Sequence, residues 1–286
     1  FKVSESTTVV LAPGNLMALI DSYNSTNGTA TASEWKFGGY FEYIGDADNA
    51  GNKLFANSDP DCQGKWVDLF SWQGVSATTK VHGLVNKGSN DATYHGNVAS
   101  ESLYDGCWST RNSNGSDEGG YIQISNGGSH QWRPMTNSEW YYLLASRTGA
   151  KIGETTGCKF ARATVAGVNG LLIFPDASTD IWNTATMGTA PTNINGTGSL
   201  SWNNASSYTA ANMVAMANAG IVFLPAAGYR NGTSVGGVGA DGRYWSSTAI
   251  YATYAYHLSF DASYVNPASH YYRYIGRSVR LVRVVE

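Results

Sequence analysis

The chain has 286 residues, of which 42% are hydrophobic and 13% aromatic, so it can build a sizeable core in one or two domains. Its formal net charge of −3 and its low content of charged residues, 14%, leave no basic surface of the kind that binds nucleic acid. No apolar run approaches the length of a membrane span. We therefore expect no nucleic-acid partner, and no membrane contact except through an anchor absent from this chain.

Strand patterns dominate the first half of the chain. Apolar and aromatic runs broken by glycine or proline predict strands within residues 9–20, 35–46, 65–74 and 120–128. The chain also contains 33 glycines, and serine, threonine and asparagine supply most of its polarity. This composition favours short strands joined by many turns over a helical bundle.

Two helices follow, with a hairpin between them. Thr136 and Glu139 form a capping box that predicts a helix over residues 136–147. Thr209 is a candidate N-cap for a second helix, which is predicted to end at Gly220. Residues 161–176 predict a hairpin that turns at residues 168–170, and residues 178–207 have the composition of a long surface loop.

The order of these elements is strands, helix, hairpin, helix and strands, which is typical of an α+β fold rather than of alternating βαβ units. No repeat or domain linker is evident, so residues 1–286 are predicted to form one domain. The three cysteines, Cys62, Cys107 and Cys158, are compatible with one disulfide and a free thiol, or with three buried thiols.

Tyrosines concentrate near the C-terminus: eight of the eighteen lie between Tyr244 and Tyr274. Alternation predicts a half-buried strand over residues 255–260, with His257 and Ser259 on its outward face. Six of the eight fall in residues 248–254 and 263–275, which follow no apolar period and are predicted to form loops, with a turn at residues 266–267. Tyrosine-rich loops are typical of binding surfaces. The alternative is that these tyrosines simply cover a large twisted sheet.

The motifs around this region resemble a known family. FLPAAGYRNGTSVGGVGADGRYWSS, then a stretch of variable appearance, then GRSVRLVR are similar to the C-type-lectin-fold variable proteins that diversity-generating retroelements diversify in bacteria and their phages. VLAPGNL, YIGDAD, KWVDLFSWQG, ISNGGSHQWRPMTNSEW and VNGLLIFPD extend the resemblance over essentially the whole chain. Similar motifs occur in non-diversified bacterial surface domains and in formylglycine-generating-enzyme-like proteins.

The resemblance implies a C-type lectin-like fold with mixed, mainly antiparallel sheets, two helices and long loops. It implies a ligand-binding protein on a bacterial cell surface or a phage virion, whose partner is a protein or glycan on another cell or host surface. In such proteins an error-prone reverse transcriptase randomises adenines of a variable region, here about residues 243–277. The positions implied to contact ligand are Ala249, Ile250, Tyr251, Thr253, Tyr254, His257, Ser259, Tyr264, Ser269, His270, Tyr271, Tyr272 and Ile275, together with Arg243, Asp261 and Tyr274.

Other functional classes have weaker support. The five histidines show no metal-ligand spacing, and no nucleophile elbow, Walker loop or dinucleotide motif is present. A pair of Cys107 with His95 or His130 is formally possible, but formylglycine-generating enzymes use cysteines late in the fold, and none follows Cys158. We therefore expect no enzyme, no catalytic residue, no metal and no cofactor. The alternatives kept open are a non-diversified glycan-binding adhesin module of the same fold and a formylglycine-generating-enzyme-like enzyme.

Overall fold

Short strands and a few helices are connected by long segments without regular structure. The computed structural model describes residues 1–73, 79, 81–96, 108–110 and 122–285. The strands are β1 Val9–Leu11, β2 Leu16–Asn24, β3 Thr29–Phe37, β4 Trp66–Val67, β5 Arg133–Pro134, β6 Ala150–Ile152, β7 Thr155–Cys158, β8 Phe160–Val165, β9 Val168–Ile173, β10 Ser206–Tyr208, β11 Val222–Pro225, β12 Tyr229–Asn231, β13 Ser234–Gly236, β14 Gly242–Tyr251, β15 Tyr254–Phe260, β16 Val265–Tyr272 and β17 Leu281–Val284. The α-helices are α1 Gly51–Ala56, α2 Ala92–His95, α3 Asn137–Tyr141, α4 Thr184–Met187 and α5 Ala210–Asn218.

The described strands pair into six sheets, with the orders β1-β17-β5, β3-β2-β4, β6-β7, β10-β8-β9-β11, β12-β13 and β14-β15-β16. Among these named strands only β10 and β8 run parallel; the other pairs are antiparallel. The predicted α+β class with mainly antiparallel sheets is confirmed.

Both predicted helix starts are confirmed by their caps. Thr136 Oγ1 accepts a hydrogen bond from the backbone N of Glu139 at 3.1 Å, and Glu139 Oε2 accepts one from the N of Thr136 at 2.9 Å. Glu139 also pairs with the buried Arg133 at 2.7 Å, so the cap belongs to an internal ion pair. α3 continues into a π-helical turn, Tyr142–Ser146. Thr209 caps α5 in the same manner as Thr136 caps α3, with Asn212 as its partner.

The predicted hairpin exists, but its turn lies earlier than expected. β8 and β9 are joined by Ala166 and Gly167, which have positive φ angles of 49° and 85°. Two consecutive positive φ angles match the twist of a tight hairpin, so residues 168–170 are part of β9 instead. The prediction of a turn at residues 168–170 is wrong for this reason.

Three of the predicted strands in the first half match the observed ones only in part. β3 spans Thr29–Phe37 and so covers only the start of the segment predicted within 35–46, β4 spans only Trp66–Val67, and residue 124 makes an isolated bridge to residue 35. Residues 74, 120 and 121 of the predicted segments lie outside the described residues. The segment after β4 remains extended because it pairs with the C-terminal part of the chain. Phe70 exchanges two backbone hydrogen bonds of 2.9 Å with Arg277, and Trp72 N donates to the carbonyl of Arg273 at 2.7 Å.

The sheet of β14, β15 and β16, here called the C-terminal sheet, lies between two hydrophobic clusters. The residues of one face pack with Trp140 of α3 and are Tyr244, Leu258, Phe260 and Val265. The residues of the other face pack with Phe70 and Trp72 and are Trp245, Ala249 and Ala255. Leu258 and Phe260 are buried, as the alternation over residues 255–260 predicts, and Trp245 and Val279 are buried as well.

The prediction that His257 and Ser259 face solvent is wrong. His257 is 2% exposed and Ser259 is 1% exposed, because the cluster around Trp245 covers that face of β15 as well. Arg280 is fully buried and donates to the carbonyl oxygens of Ala12 at 3.0 Å and Phe223 at 2.8 Å. Carbonyl partners from distant segments allow an arginine to occupy a core position.

Cys62 and Cys158 are buried free thiols, so they do not form a disulfide with each other. Burial raises the pKa of the Cys62 thiol to about 11. Cys107 lies outside the described residues. None of the described helices is long and apolar enough to cross a membrane.

Candidate ligand-binding surface

The segments predicted as tyrosine-rich loops form most of the C-terminal sheet. β14 continues to Tyr251, a turn of two residues follows, and β15 begins at Tyr254. β16 then covers most of residues 263–275. The prediction of loops is wrong because irregular pairing hides the alternation. Residues 246–248 of β14 stand opposite the single residue 256 of β15, so the side chains change face along the strand.

A second irregularity explains the misplaced turn at residues 266–267. Pro267 lies within β16 at a register shift, where its missing N–H interrupts no regular ladder. The actual turn is formed by Asp261, whose Oδ1 accepts hydrogen bonds from the backbone N of Ser263 at 2.6 Å and of Tyr264 at 3.1 Å. Asp261 therefore has a turn-forming role.

Aromatic side chains gather where β14 and β15 turn and where β16 ends. We call this set the tyrosine cluster; it consists of Tyr251, Tyr254, Tyr256, His270, Tyr271, Tyr272 and Tyr274. The rings of Tyr254 and Tyr272 have centroids 4.5 Å apart, and Tyr274 stacks on Tyr272 at 5.2 Å. Tyr251 is 59% exposed and Tyr271 is 44% exposed. The cluster is therefore a continuous aromatic surface that reaches solvent.

Arg273 supports this surface from below, although the sequence pattern did not single it out. Its side chain is buried, and its guanidinium lies 4.5 Å from the ring of Trp72. The guanidinium donates to the carbonyl oxygens of Tyr251, of Tyr254 at 3.2 Å and of Gly96 at 2.8 Å. Arg273 thus joins both strands of the hairpin to the end of α2, which holds the tyrosine cluster in place.

A second group of the predicted residues lies at the other end of the C-terminal sheet. Together with Arg277, which was not among the predicted positions, they form what we call the His257 cluster: Arg243, His257, Ser259, Tyr264 and Arg277. Ser259 Oγ and the Tyr264 hydroxyl are 2.8 Å apart, and Arg243 pairs with Asp241 at 3.1 Å. The ring of His257 meets that of Trp245 edge-on at 5.6 Å.

The electrostatics of the His257 cluster are unusual, because His257 and Arg277 are both buried. Burial, reinforced by the positive charges of Arg277 and Arg243, holds the pKa of His257 well below its usual range. Burial likewise lowers the pKa of Arg277. The cluster therefore contains a neutral histidine beside two guanidinium groups.

The other predicted positions divide between surface and core. Thr253 lies in the hairpin turn, and Ile250, Ser269 and Tyr274 are half-buried. Ala249 is 6% exposed and Ile275 is 2% exposed, and both pack in the core cluster around Trp245. Their prediction as displayed residues is contradicted, since the register shift in β14 and the turn after β16 point them inward.

The residues considered for other chemistry lie elsewhere. His95 is buried and its Nδ1 is 2.9 Å from the carbonyl oxygen of Trp72, while His130 lies edge-on to the ring of Trp132. Across the described ranges, no three His, Cys, Asp or Glu side chains gather in an arrangement that could hold a metal ion.

Comparison with known proteins adds one finding. Residues 191–282, which include the tyrosine cluster and the His257 cluster, match a family model described as a domain of unknown function, DUF8237. No curated protein matches the chain. No solved structure matches it. Both clusters thus lie in a segment that resembles the sequences of one family.

Proposed function

We propose that this protein is a surface-displayed, receptor- or adhesin-like protein that binds its ligand through the tyrosine cluster, on a C-type lectin-like scaffold whose variable region is diversified by a retroelement. The observation that carries the proposal is the continuous set of tyrosine rings at one end of the C-terminal sheet, with Tyr251 and Tyr271 half-exposed. The expected ligand is a protein or glycan on another cell or host surface.

Physical chemistry supports this use of the cluster. Tyrosine offers a large contact area at a low cost in side-chain entropy, and it is enriched where a few residues supply most of the binding energy. The support from Arg273 limits the ordering that binding must impose on the hairpin. Ring-to-ring contacts within the cluster restrict its side chains further.

The proposal predicts that Tyr251→Ala with Tyr271→Ala weakens binding about tenfold or more, because exposed aromatic contacts are lost. The melting temperature should stay close to that of the parent, since both side chains reach solvent. A screen of the purified chain on glycan and protein arrays identifies the ligand, and titration then compares the variants.

Val214→Ala provides a matched control, because Val214 is 49% exposed on α5, away from the C-terminal sheet. This control should bind like the parent. If the double tyrosine variant keeps full affinity, the cluster is not the binding surface. A large loss of stability in that variant would show instead that the two rings are structural.

A non-diversified adhesin is favoured by one observation. Four positions of the expected variable set, Ala249, His257, Ser259 and Ile275, are buried, and buried positions tolerate random replacement poorly. Sequencing the DNA around the gene distinguishes the two possibilities. A neighbouring reverse transcriptase and a template repeat that differs only at adenines indicate diversification, whereas their absence indicates a fixed binding site.

A further inference from the structure

Four buried polar atoms of the His257 cluster lack a hydrogen-bond partner among the described residues. They are Nε and Nη1 of Arg277, Nε of Arg243 and Nδ1 of His257. A buried polar group left unpaired costs on the order of 1–3 kcal/mol. Several in one place therefore point to a group that is supplied from outside the chain.

Arg277 is the centre of this arrangement. Its side chain is 1% exposed, and its guanidinium carbon lies 4.7 Å from the ring centroid of Trp245 and 5.5 Å from that of Tyr271. Its backbone is fixed by the paired hydrogen bonds with Phe70. The guanidinium is thus held by the scaffold and faces side chains of the C-terminal sheet.

The charges of the cluster do not balance. Arg243 has Asp241 at 3.1 Å, but no carboxylate of the described residues forms a salt bridge with Arg277. A buried charge without a counterion is strongly unfavourable, and one negative charge would neutralise it. A monoanion fits this requirement better than a dianion.

The ring of Tyr271 lies 5.5 Å from the Arg277 guanidinium carbon and is itself 44% exposed. Rotation of this surface side chain would uncover that side of the guanidinium. The hydroxyl groups of Ser259 and Tyr264 lie in the same cluster and can donate to an oxygen anion.

We propose that Arg277 binds a carboxylate group of the ligand, with His257, Ser259 and Tyr264 lining the same site and Tyr271 turning aside to admit it. This inference rests on the proposed function, since it assigns the chemistry of that ligand. Arg277 belongs to the GRSVRLVR segment, whereas Arg243, His257, Ser259, Tyr264 and Tyr271 belong to the expected variable set. Arg277 would therefore stay the same while the side chains around it differ between variants, so the ligands of different variants should share a carboxylate.

The test is an NMR titration of the unmodified protein with four probes at equal ionic strength. Glucuronate and a blocked aspartate carry the carboxylate on a sugar and on a peptide unit, glucose is the neutral counterpart of the first, and sulfate is a dianion. We expect at least one carboxylate probe to shift the Arg277 Nε–H signal saturably, with an affinity about tenfold or more above that for glucose. The affinities of glucuronate and blocked aspartate are then compared, which shows whether the site prefers a carboxylate carried by a sugar or by a peptide.

His257 gives an independent readout. The charged groups that act on it are Arg277, Arg243 and His270, and burial adds to their effect. A carboxylate bound among them favours the protonated ring, so the pKa of His257 should rise when glucuronate or blocked aspartate saturates the site. Glucose should leave it unchanged.

Arg277→Met removes the buried charge while keeping a flexible side chain. The variant should lose the response to carboxylates and should melt no lower than the parent, because replacing an unpaired buried charge by an apolar group is neutral or stabilising. Arg283→Met on β17 is the matched control and should keep the response. The inference is overturned if neither carboxylate shifts Arg277 in the parent protein, if sulfate binds more tightly than both, or if Arg277→Met retains the response.

The outcomes separate this inference from the proposed function. A chain that binds an array ligand through Tyr251 and Tyr271 but does not respond to carboxylates disproves only the role of Arg277. A chain that binds glucuronate or blocked aspartate at Arg277, but whose array ligand is unaffected by Tyr251→Ala with Tyr271→Ala, disproves only the role of the tyrosine cluster.

Discussion

Arg273→Ala is expected to lower the free energy of unfolding by roughly 3–5 kcal/mol. The guanidinium of Arg273 is buried and donates to the carbonyl oxygens of Tyr251, Tyr254 and Gly96, which come from three separate segments. Its removal leaves these acceptors without their donor and removes the packing partner of Trp72 at 4.5 Å. Urea unfolding followed by tryptophan fluorescence measures the loss.

Two further variants make this test specific. Arg273→Lys should recover part of the stability, because an ammonium group keeps the charge but cannot reach all three carbonyls at once. Arg283→Ala removes the same type of side chain from a half-buried position on β17 and should cost much less. If Arg273→Ala and Arg283→Ala are equally stable, Arg273 does not hold the hairpin.

The free energy of unfolding is expected to fall as the pH drops from about 7 to about 5, and His95→Asn should make this fall smaller by roughly 2 kcal/mol. Burial, with the nearby charges of Arg230 and Arg273, lowers the pKa of His95 to about 4. Its Nδ1 donates to the carbonyl of Trp72, and its buried Nε2 has no partner among the described residues that could accept a second proton. The folded protein therefore resists protonation of this ring.

The sign follows from the number of protons bound by each state. Between the folded pKa of about 4 and the ordinary value of 6.5, the unfolded chain binds a proton at residue 95 that the folded chain does not. The stability contributed by the neutral ring is thus complete above the ordinary value and is lost as the pH falls towards 4. The asparagine amide can still donate to the Trp72 carbonyl but does not titrate.

Asp68 provides the opposing control. Burial raises the pKa of this carboxyl group to about 7, so the folded protein binds a proton that the unfolded chain releases, and stability falls as the pH rises towards 7. Asp68→Asn should therefore steepen the gain in stability with pH, while His95→Asn flattens it. Thermal unfolding across this pH range measures both slopes, and an unchanged slope in His95→Asn would falsify the assignment.

Local patterns predicted the elements that depend on neighbours in sequence. The caps at Thr136 and Thr209 are set by residues three positions apart, so the sequence is sufficient to find them. The core positions Leu258 and Phe260 follow from apolar alternation. The hairpin of β8 and β9 was also predicted, although its turn was placed in the following strand.

The predictions that were wrong concern residues whose partners lie far away along the chain. Alternation distinguishes the two faces of a strand but does not reveal what covers them, so His257 and Ser259 were expected in solvent although the cluster around Trp245 buries them. The register shifts in β14 and β16 remove the period that would have identified them as strands. The burial of Arg273 and Arg280 could not be predicted from local patterns, because their carbonyl partners lie in remote segments.

The support beneath the hairpin has a consequence for how this protein can change. Arg273 contacts Tyr251 and Tyr254 through their main-chain oxygens, and every amino acid carries that atom. Replacing either tyrosine by another residue leaves the acceptor in place and the arginine satisfied. The side chains at Tyr251 and Tyr254 can therefore be exchanged for others while the backbone of the hairpin keeps its support from Arg273.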